Sequence, residues 1–211
     1  MKPLDFYETV AIVCPGIVFL LGLYWFCPAI VNLQETSQLF DISLGSVALY
    51  LVIAFICGHF IQTIAKIWEW LFWVVQGGMP TTWMKKDGRL ISKSVYQQIK
   101  NSLKKDKFEL NEDTDWSALH IFLKNAVDDS NKRIYIFNSQ YGMFRGITCS
   151  CLCLALLILF QNIKRINVSW NNFVFCVLLI ILGVFRMRYF AVCYARELYM
   201  QYLISKKQDG K

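Results

Sequence analysis

Apolar residues in this chain are concentrated in long runs separated by polar and basic segments. One run, Ile42 to Ala65, carries no formal charge over 24 residues. Because a helix rises about 1.5 Å per residue, roughly 20 such residues cross the hydrocarbon core of a bilayer. Lys66 ends this run, and Trp68, Trp70 and Trp73 follow it. Indole rings favour the level of the lipid headgroups, so these tryptophans mark the end of the span. The pattern predicts a membrane-spanning helix with a basic and aromatic collar at one end.

Three further apolar runs predict three further spans. They extend from Thr9 to Ile30, from Ile147 to Ile163 and from Trp170 to Phe185. Pro15 lies within the first, where proline removes a backbone donor and kinks a helix, and a packing kink is favoured over a gating hinge. We therefore expect an all-α integral membrane protein with four transmembrane helices. Its segments are residues 1–76 with helices 1 and 2, 77–146 as a cytoplasmic insert, 147–185 with helices 3 and 4, and 186–211 as a cytoplasmic helical tail.

The insert and the tail are both expected to be helical. A basic helix ending at Lys105 has an apolar stripe at Val95, Ile99 and Leu103, and Thr114-Asp115 can cap a second helix. Residues 131–145 lead helically into the third span, and the tail continues the fourth helix. Short helices cannot bury such stripes alone, so we expect them to pack on the tail or on another subunit.

The distribution of charge orients the spans. Residues 64–146 hold 13 Lys and Arg against 9 Asp and Glu, and the last 26 residues hold six basic and two acidic side chains. Segments rich in Lys and Arg stay cytoplasmic. Lys164 and Arg165 oppose this orientation but are outnumbered. Both termini and the insert are therefore expected on the cytoplasmic side.

The composition agrees with a membrane protein, and the motifs do not indicate an enzyme. The chain is 56% hydrophobic and 18% charged, with a mean hydropathy of +0.39, whereas soluble domains are about a quarter charged. The eight cysteines lie mostly inside apolar runs, which is typical of free thiols rather than a disulfide framework. No CxxC, HExxH, GxSxG or phosphate-binding glycine loop occurs in the sequence. We expect no catalytic residues, no cofactor and no metal site; a membrane enzyme acting on lipid is the weakest of the alternatives.

One polar stripe on the second predicted helix suggests a pore. Its polar members recur at i, i+3, i+4 and i+7, and apolar residues continue the same side of the helix. In a ring of subunits this face would give an apolar constriction that opens into a polar vestibule. The alternative is that His59 bonds to a neighbouring helix. The pore-lining candidates are Val52, Phe55, His59, Gln62, Thr63 and Lys66.

A basic cluster in the insert is the candidate ligand site. Its simplest interpretation is orientation together with attraction to anionic lipid. The sharper one is a site for a single-stranded oligonucleotide, since Tyr96, Phe108 and Trp116 could stack on bases. The ligand-binding candidates are Lys85, Lys86, Arg89, Lys93, Lys100, Lys104, Lys105 and Lys107.

The chain begins its first span within FYETVAIVCPGIVFLLGL (Phe6 to Leu23), and its second span ends in GHFIQ (Gly58 to Gln62) before a loop. In this layout the chain resembles the small multispanning proteins of bacterial antiphage operons. These include the channel effector of Hailong-type defence and, less closely, the membrane subunit of Kiwa-type defence. The resemblance implies a homo-oligomer in the bacterial inner membrane, often a tetramer, that works with a soluble partner protein. In the Hailong case an oligonucleotide from a partner nucleotidyltransferase controls the channel.

The sequence leaves two functions open. The first is a homo-oligomeric channel or pore-forming effector gated from the cytoplasm, with an anionic oligonucleotide as one candidate ligand. The second is a membrane sensor or anchor that recruits a soluble defence partner through the insert.

Overall fold

The computed structural model of the chain describes residues 9–26, 44–85, 90–108, 114–127, 132–164, 166 and 168–209. A short π-helical turn, Thr9–Val13, leads into α1, Cys14–Phe26, and α2 is Leu44–Val75. A 3-10 helix, Pro80–Lys85, is followed by α3, Lys93–Lys105, and α4, Trp116–Ala126. The last two helices are α5, Lys132–Ile163, and α6, Trp170–Asp209. The described residues contain helices and connecting turns but no strand.

Four of these helical segments are long and apolar enough to cross a membrane, as the sequence predicts. They begin at Thr9, Gly45, Lys132 and Trp170 and have windows of mean hydropathy between 2.0 and 2.1. In the third, 44% of the window is buried, against 17–22% in the other three. The third segment, which is α5, is therefore the central helix of the four. α2 continues past Ala65, where the uncharged run of the sequence ends, through to Val75.

The chain divides into two compact units. The first comprises Met1–Leu71 and Ser139–Met187, and the second comprises Phe72–Asn138 and Arg188–Lys211. The segments expected from sequence end at 76, 146 and 185, whereas the units divide after residues 71, 138 and 187, each time within a helix.

Within the first unit, α1 and α2 approach closely because small residues face each other. A Cβ built on Gly16 would lie 1.8 Å from the carbonyl oxygen of Ala54, and one on Gly58 would lie 2.1 Å from that of Ile12. No side chain fits in those gaps. Small residues that let backbones approach are the usual means of packing helices in membranes, because lipid tails are as apolar as the side chains and helix association has no hydrophobic driving force there. Any larger residue at either glycine would push the two helices apart.

The central helix α5 uses the same device against its neighbours. Gly146 faces the ring of Pro15, at 2.4 Å from a built Cβ. Gly183 of α6 faces Thr148 of α5, whose hydroxyl oxygen would lie 2.3 Å from a built Cβ. α1 and α6 therefore both rest directly on α5.

The second unit has its own hydrophobic core. Buried residues of α3 and α4 pack against one face of α6, so the apolar stripes predicted in the insert are covered by the helical tail. The buried cluster comprises Met84, Leu90, Tyr96, Ile99, Leu103, Leu119, Leu123, Val127, Ile134, Ala195, Leu198, Tyr199, Tyr202 and Leu203. At the start of α4, the carboxylate of Asp115 accepts hydrogen bonds from the backbone N–H groups of Ser117 and Ala118, which makes it the predicted cap.

Polar contacts join the edges of this core. The carboxylate of Asp106 accepts from the hydroxyl of Tyr202 at 2.7 Å and from the ammonium of Lys206 at 3.0 Å. Burial alone would raise the pKa of Asp106, but these two hydrogen bonds and the charge of Lys206 hold it below its ordinary value. His120 of α4 lies 2.9 Å from the hydroxyl of Tyr194. Burial, and then the charge of Lys124, lower the pKa of His120.

Candidate functional site

The site is built on a break in the first helix. In an α-helix the carbonyl of Ala11 would accept from the backbone N–H of residue 15, but that residue is Pro15, which has none. The turn ahead of it is π-helical. The side chain of Gln62 in α2 supplies the missing donor, because its Nε2 donates to the carbonyl of Ala11 and, at 3.0 Å, to that of Gly142 in α5. One amide therefore joins three helices.

The oxygen of the same amide accepts hydrogen bonds from a charged side chain. Arg145 of α5 donates from Nη2 to Oε1 of Gln62 at 2.7 Å, and from Nε to the same oxygen at 3.2 Å. Its remaining nitrogen, Nη1, donates to Oε2 of Glu69 at 2.6 Å. The hydroxyl of Tyr141 donates to the other oxygen of Glu69. Glu69 is 8% exposed and is buried in this network, so a carboxylate and a guanidinium satisfy each other inside the first unit.

Sequence reasoning missed Glu69 and used Arg145 only to orient the chain. The signal was spacing: Glu69 follows Gln62 by seven residues, which puts both on one face of α2, and Arg145 follows Tyr141 by four on α5. The aromatic collar is predicted from Trp68 and Trp70, which flank Glu69, and that prediction takes no account of the acid between them. The four residues form one cluster, which we call the charge cluster: Gln62, Glu69, Tyr141 and Arg145.

The structure divides the predicted pore-lining stripe. Gln62 lies half-buried in the charge cluster, while Val52, His59, Thr63 and Lys66 are exposed on the single chain. Phe55 is partly buried and its ring lies edge-on to His59, with 4.6 Å between the ring centroids. We call the five remaining residues the outer strip: Val52, Phe55, His59, Thr63 and Lys66.

The outer strip faces away from the helices of its own unit. The opposite face of α2 carries the buried residues Ala54, Gly58, Ile61 and Ala65, which pack towards α1 and α5. Thr63 donates its hydroxyl proton to the carbonyl of His59 in its own helix, at 3.0 Å. Exposed apolar side chains, Ile67, Trp70 and Leu71, continue along α2 beyond Lys66. The polar part of the strip therefore lies between two apolar stretches of exposed helix.

The basic candidates of the insert lie in the second unit, and the structure describes part of them. Lys93, Lys100, Lys104, Lys105 and Lys107 are exposed on or just after α3. The first three follow at i, i+7 and i+11, so they share one flank of the helix, beside the buried face of Tyr96, Ile99 and Leu103. Lys107 adopts a positive φ of 66°. Lys86, Arg89 and the side chain of Lys85 lie outside the described residues.

The stacking candidates are less available than the lysines. Tyr96 is buried in the core of the second unit, and Phe108 and Trp116 are packed partly against it. Phe108 lies 4.7 Å from Phe122 between ring centroids. These rings stabilise the core, so a ligand on the lysine flank would be held by charge rather than by stacking.

Comparisons with protein-family models, with curated proteins and with solved structures gave no match to this chain. Among the described residues, no group of three or more His, Cys, Asp and Glu side chains has the arrangement of a metal site.

Proposed function

We propose that this protein is an integral protein of the bacterial inner membrane, with both termini in the cytoplasm, and that its copies assemble into a channel opened from the cytoplasmic side. The four long apolar helices and the excess of Lys and Arg in residues 64–146 and in the tail support the insertion and its orientation. The sequence resemblance favours a tetramer that works in antiphage defence with a soluble partner.

The observation that carries the proposal is the direction of the outer strip. Polar and ionisable side chains inside a membrane are costly when they face lipid, and they generally face a bundle interior or a watery cavity. His59, Thr63 and Lys66 face neither within their own chain, since the packed face of α2 lies on the other side.

Assembly of several copies, with their α2 helices around a common axis, removes this cost. With the strips turned towards a common axis, Lys66 and His59 meet water, and Val52 and Phe55 form a narrower apolar ring further along the helix. The cost of facing lipid grows towards the centre of a span, up to about 2.5–3.5 kcal/mol for a charged side chain on insertion scales, and it is repeated in every subunit. His59 lies inside the uncharged run and Lys66 at its end, so the cost falls mainly on His59. Water along the axis removes that penalty, which favours a wet axis over a lipid-facing strip.

The flank of α3 bearing Lys93, Lys100 and Lys104 supports an anionic ligand on the cytoplasmic unit. Three cations on one side of a helix attract phosphate groups, and each phosphate they neutralise releases condensed counterion. A short single-stranded oligonucleotide would therefore bind with an affinity that falls steeply with salt, whereas attraction to anionic lipid would follow membrane composition.

Ion selectivity tests the assignment directly. Purified protein is reconstituted in planar bilayers and recorded under a salt gradient, with and without a short single-stranded oligonucleotide. Lys66→Gln removes a ring of positive charge from the axis, so the reversal potential is expected to shift towards cation selectivity. The matched control is Lys124→Gln, which removes the same charge from an exposed position of the cytoplasmic unit outside the ligand-binding candidates and is expected to leave the reversal potential unchanged.

Three outcomes overturn parts of the proposal separately. A reversal potential that Lys66→Gln leaves unchanged would remove the strip from the pore. Membrane insertion with no conductance under any ligand condition would favour the alternative, an anchor or sensor that recruits a soluble partner. A reporter fused to the C-terminus that reads as periplasmic would reverse the orientation.

A further inference from the structure

His59 is the one histidine of the apolar runs, since the other histidine of the chain, His120, lies in the second unit. The hydroxyl of Thr63 donates to the backbone carbonyl of His59 and not to its imidazole. Within the described ranges of the chain, neither ring nitrogen of His59 has a hydrogen-bond partner. A polar side chain inside a span is costly unless something completes its environment, so this imidazole is a candidate binding group.

The ring of Phe55 fixes the level at which the imidazole lies. The two rings meet edge to face, with 4.6 Å between their centroids. Phe55 precedes His59 by about one helical turn, and side chains on a helix lean towards the turn before their own, which agrees with this contact. In the assembly proposed above Phe55 contributes to the apolar ring, so the imidazoles of neighbouring copies line the mouth of that constriction.

Several imidazoles around one axis provide the ligands of a transition-metal ion. Neutral imidazole is the commonest metal ligand among side chains, and it suits Zn²⁺, Ni²⁺ and Cu²⁺. Zinc–nitrogen bonds of about 2.0–2.1 Å require ligands that converge closely, and identical side chains converge at the narrowest part of a shared axis. The described residues of one chain contain no group of three or more His, Cys, Asp and Glu side chains that could hold a metal. Such a site is therefore incomplete without the other copies, and ligands shared between copies leave no metal-binding motif in one sequence.

The nearby charge of Lys66 weakens such a site without preventing it. Lys66 follows His59 by seven residues, which places the two about 10 Å apart along α2. The Debye length at physiological ionic strength is about 8 Å, so water in the vestibule largely screens the repulsion between the ammonium group and a bound cation. Lys66 therefore lowers the affinity for a metal ion, while the imidazole of His59 decides whether the ion binds.

We propose that the His59 side chains of neighbouring copies together bind one divalent transition-metal ion of the Ni²⁺ and Zn²⁺ class at the mouth of the Phe55 constriction, and that the bound ion blocks conduction. The inference rests on the proposed function, because the ligands come from different copies around the conducting axis. The ion occupies the narrowest part of the path, so its binding and release switch the current off and on.

The two histidines of the chain provide a matched test. Wild type, His59→Gln and His120→Gln are purified in detergent without a polyhistidine tag, at a pH of about 8, where free histidine is neutral. Equilibrium dialysis against Ni²⁺ measures the bound metal per chain and its dissociation constant, and light scattering gives the number of chains per assembly. Planar-bilayer recording across a Ni²⁺ series, followed by addition of EDTA, measures the block and its reversal.

Wild type and His120→Gln are expected to bind one Ni²⁺ per assembly and to lose current in a way that EDTA reverses. His59→Gln is expected to bind Ni²⁺ at least about tenfold more weakly and to conduct without block, since losing even an outer-shell partner of a metal costs that much. If His59→Gln binds Ni²⁺ and is blocked as wild type is, the metal site is refuted and the channel stands. If the assembled protein carries no current, the channel is refuted, and the dialysis alone decides the metal site. Wild type that binds no Ni²⁺, or one ion per chain, overturns the shared site in either case.

Discussion

The ion pair between Glu69 and Arg145 predicts a large loss of stability when either charge is removed alone. The side chains of Arg145 and Glu69 keep 12% and 11% of their exposure. Arg145→Met leaves the carboxylate of Glu69 buried, with the hydroxyl of Tyr141 as its remaining donor among the described side chains. Breaking a buried pair in this way costs about 3–5 kcal/mol. At about 1.4 kcal/mol per tenfold, the unfolding equilibrium shifts by roughly a hundredfold to a few thousandfold.

Removing both charges together is expected to cost less than removing one. In the Glu69→Leu, Arg145→Met double variant no uncompensated charge is left buried, and well-packed apolar replacements of buried pairs are often nearly neutral. The remaining cost comes from Gln62, whose Oε1 loses its donor, and is about 1–3 kcal/mol. The double-variant cycle should therefore show a strong favourable coupling between the two residues.

Reversible unfolding of the purified protein in mixed micelles, followed by circular dichroism across a denaturing-detergent series, measures these free energies. The pair Lys206 and Asp106 is the control, because the side chain of Lys206 is 35% exposed and such pairs contribute about 0–1 kcal/mol. If Arg145→Met costs no more than Lys206→Met and the cycle shows no coupling, the charge cluster is open to water and the reasoning fails.

Three further predictions concern single side chains. Gln62→Leu removes the amide that donates to the Ala11 and Gly142 carbonyls, and it should lower the free energy of unfolding by about 1–3 kcal/mol in the same assay. In the control, Thr63→Val, the lost hydroxyl bonds within α2, so the free energy of unfolding should change by no more than about 0.5 kcal/mol. The pKa of Asp106 is lowered in the fold, so its contribution to the free energy of unfolding is complete above the ordinary pKa of about 3.9 and is lost as pH falls through the folded-state value. The curves of unfolding free energy against pH for wild type and Asp106→Asn should therefore converge at that low pH. The pKa of His120 is also lowered, so the stability that its neutral form contributes is complete above a pH of about 6.5 and is lost as pH falls through the folded-state pKa. The thermal unfolding temperature of His120→Phe should therefore lack this dependence on pH.

Much of the fold was predictable because it depends on local pattern. The four apolar helices follow from run length, and the N-cap at Asp115 from a capping residue placed before an apolar run. The packing of α3 and α4 on the tail follows from their exposed stripes, which need a partner. These are properties of single segments, so one sequence contains them.

The candidate site was less predictable because it depends on long-range contacts. The stripe formed by His59, Gln62, Thr63 and Lys66 is real as a helical spacing, yet it spans about 100° of the helix, so its members need not share an environment. The structure turns Gln62 inwards because Pro15 leaves the carbonyl of Ala11 without its donor. That requirement arises 51 residues away along the chain, and no periodicity within α2 reports it.

The two faces of α2 also differ in how their charge is balanced. On the inner face, Glu69 meets Arg145, so the cluster is neutral and suited to holding α2 against α5 rather than to changing its charge. On the outer face, Lys66 forms no ion pair with any residue that the structure describes, and the apolar side chains of Ile67 and Trp70 follow it. In a membrane, Lys66 at the end of the uncharged run can extend its side chain to the headgroups, whereas His59 lies two turns further in, where a polar side chain that faces hydrocarbon is costly. The inner pair therefore fixes the orientation of α2, and that orientation leaves Lys66 and His59 exposed on the single chain, on the surface that the proposed assembly would use.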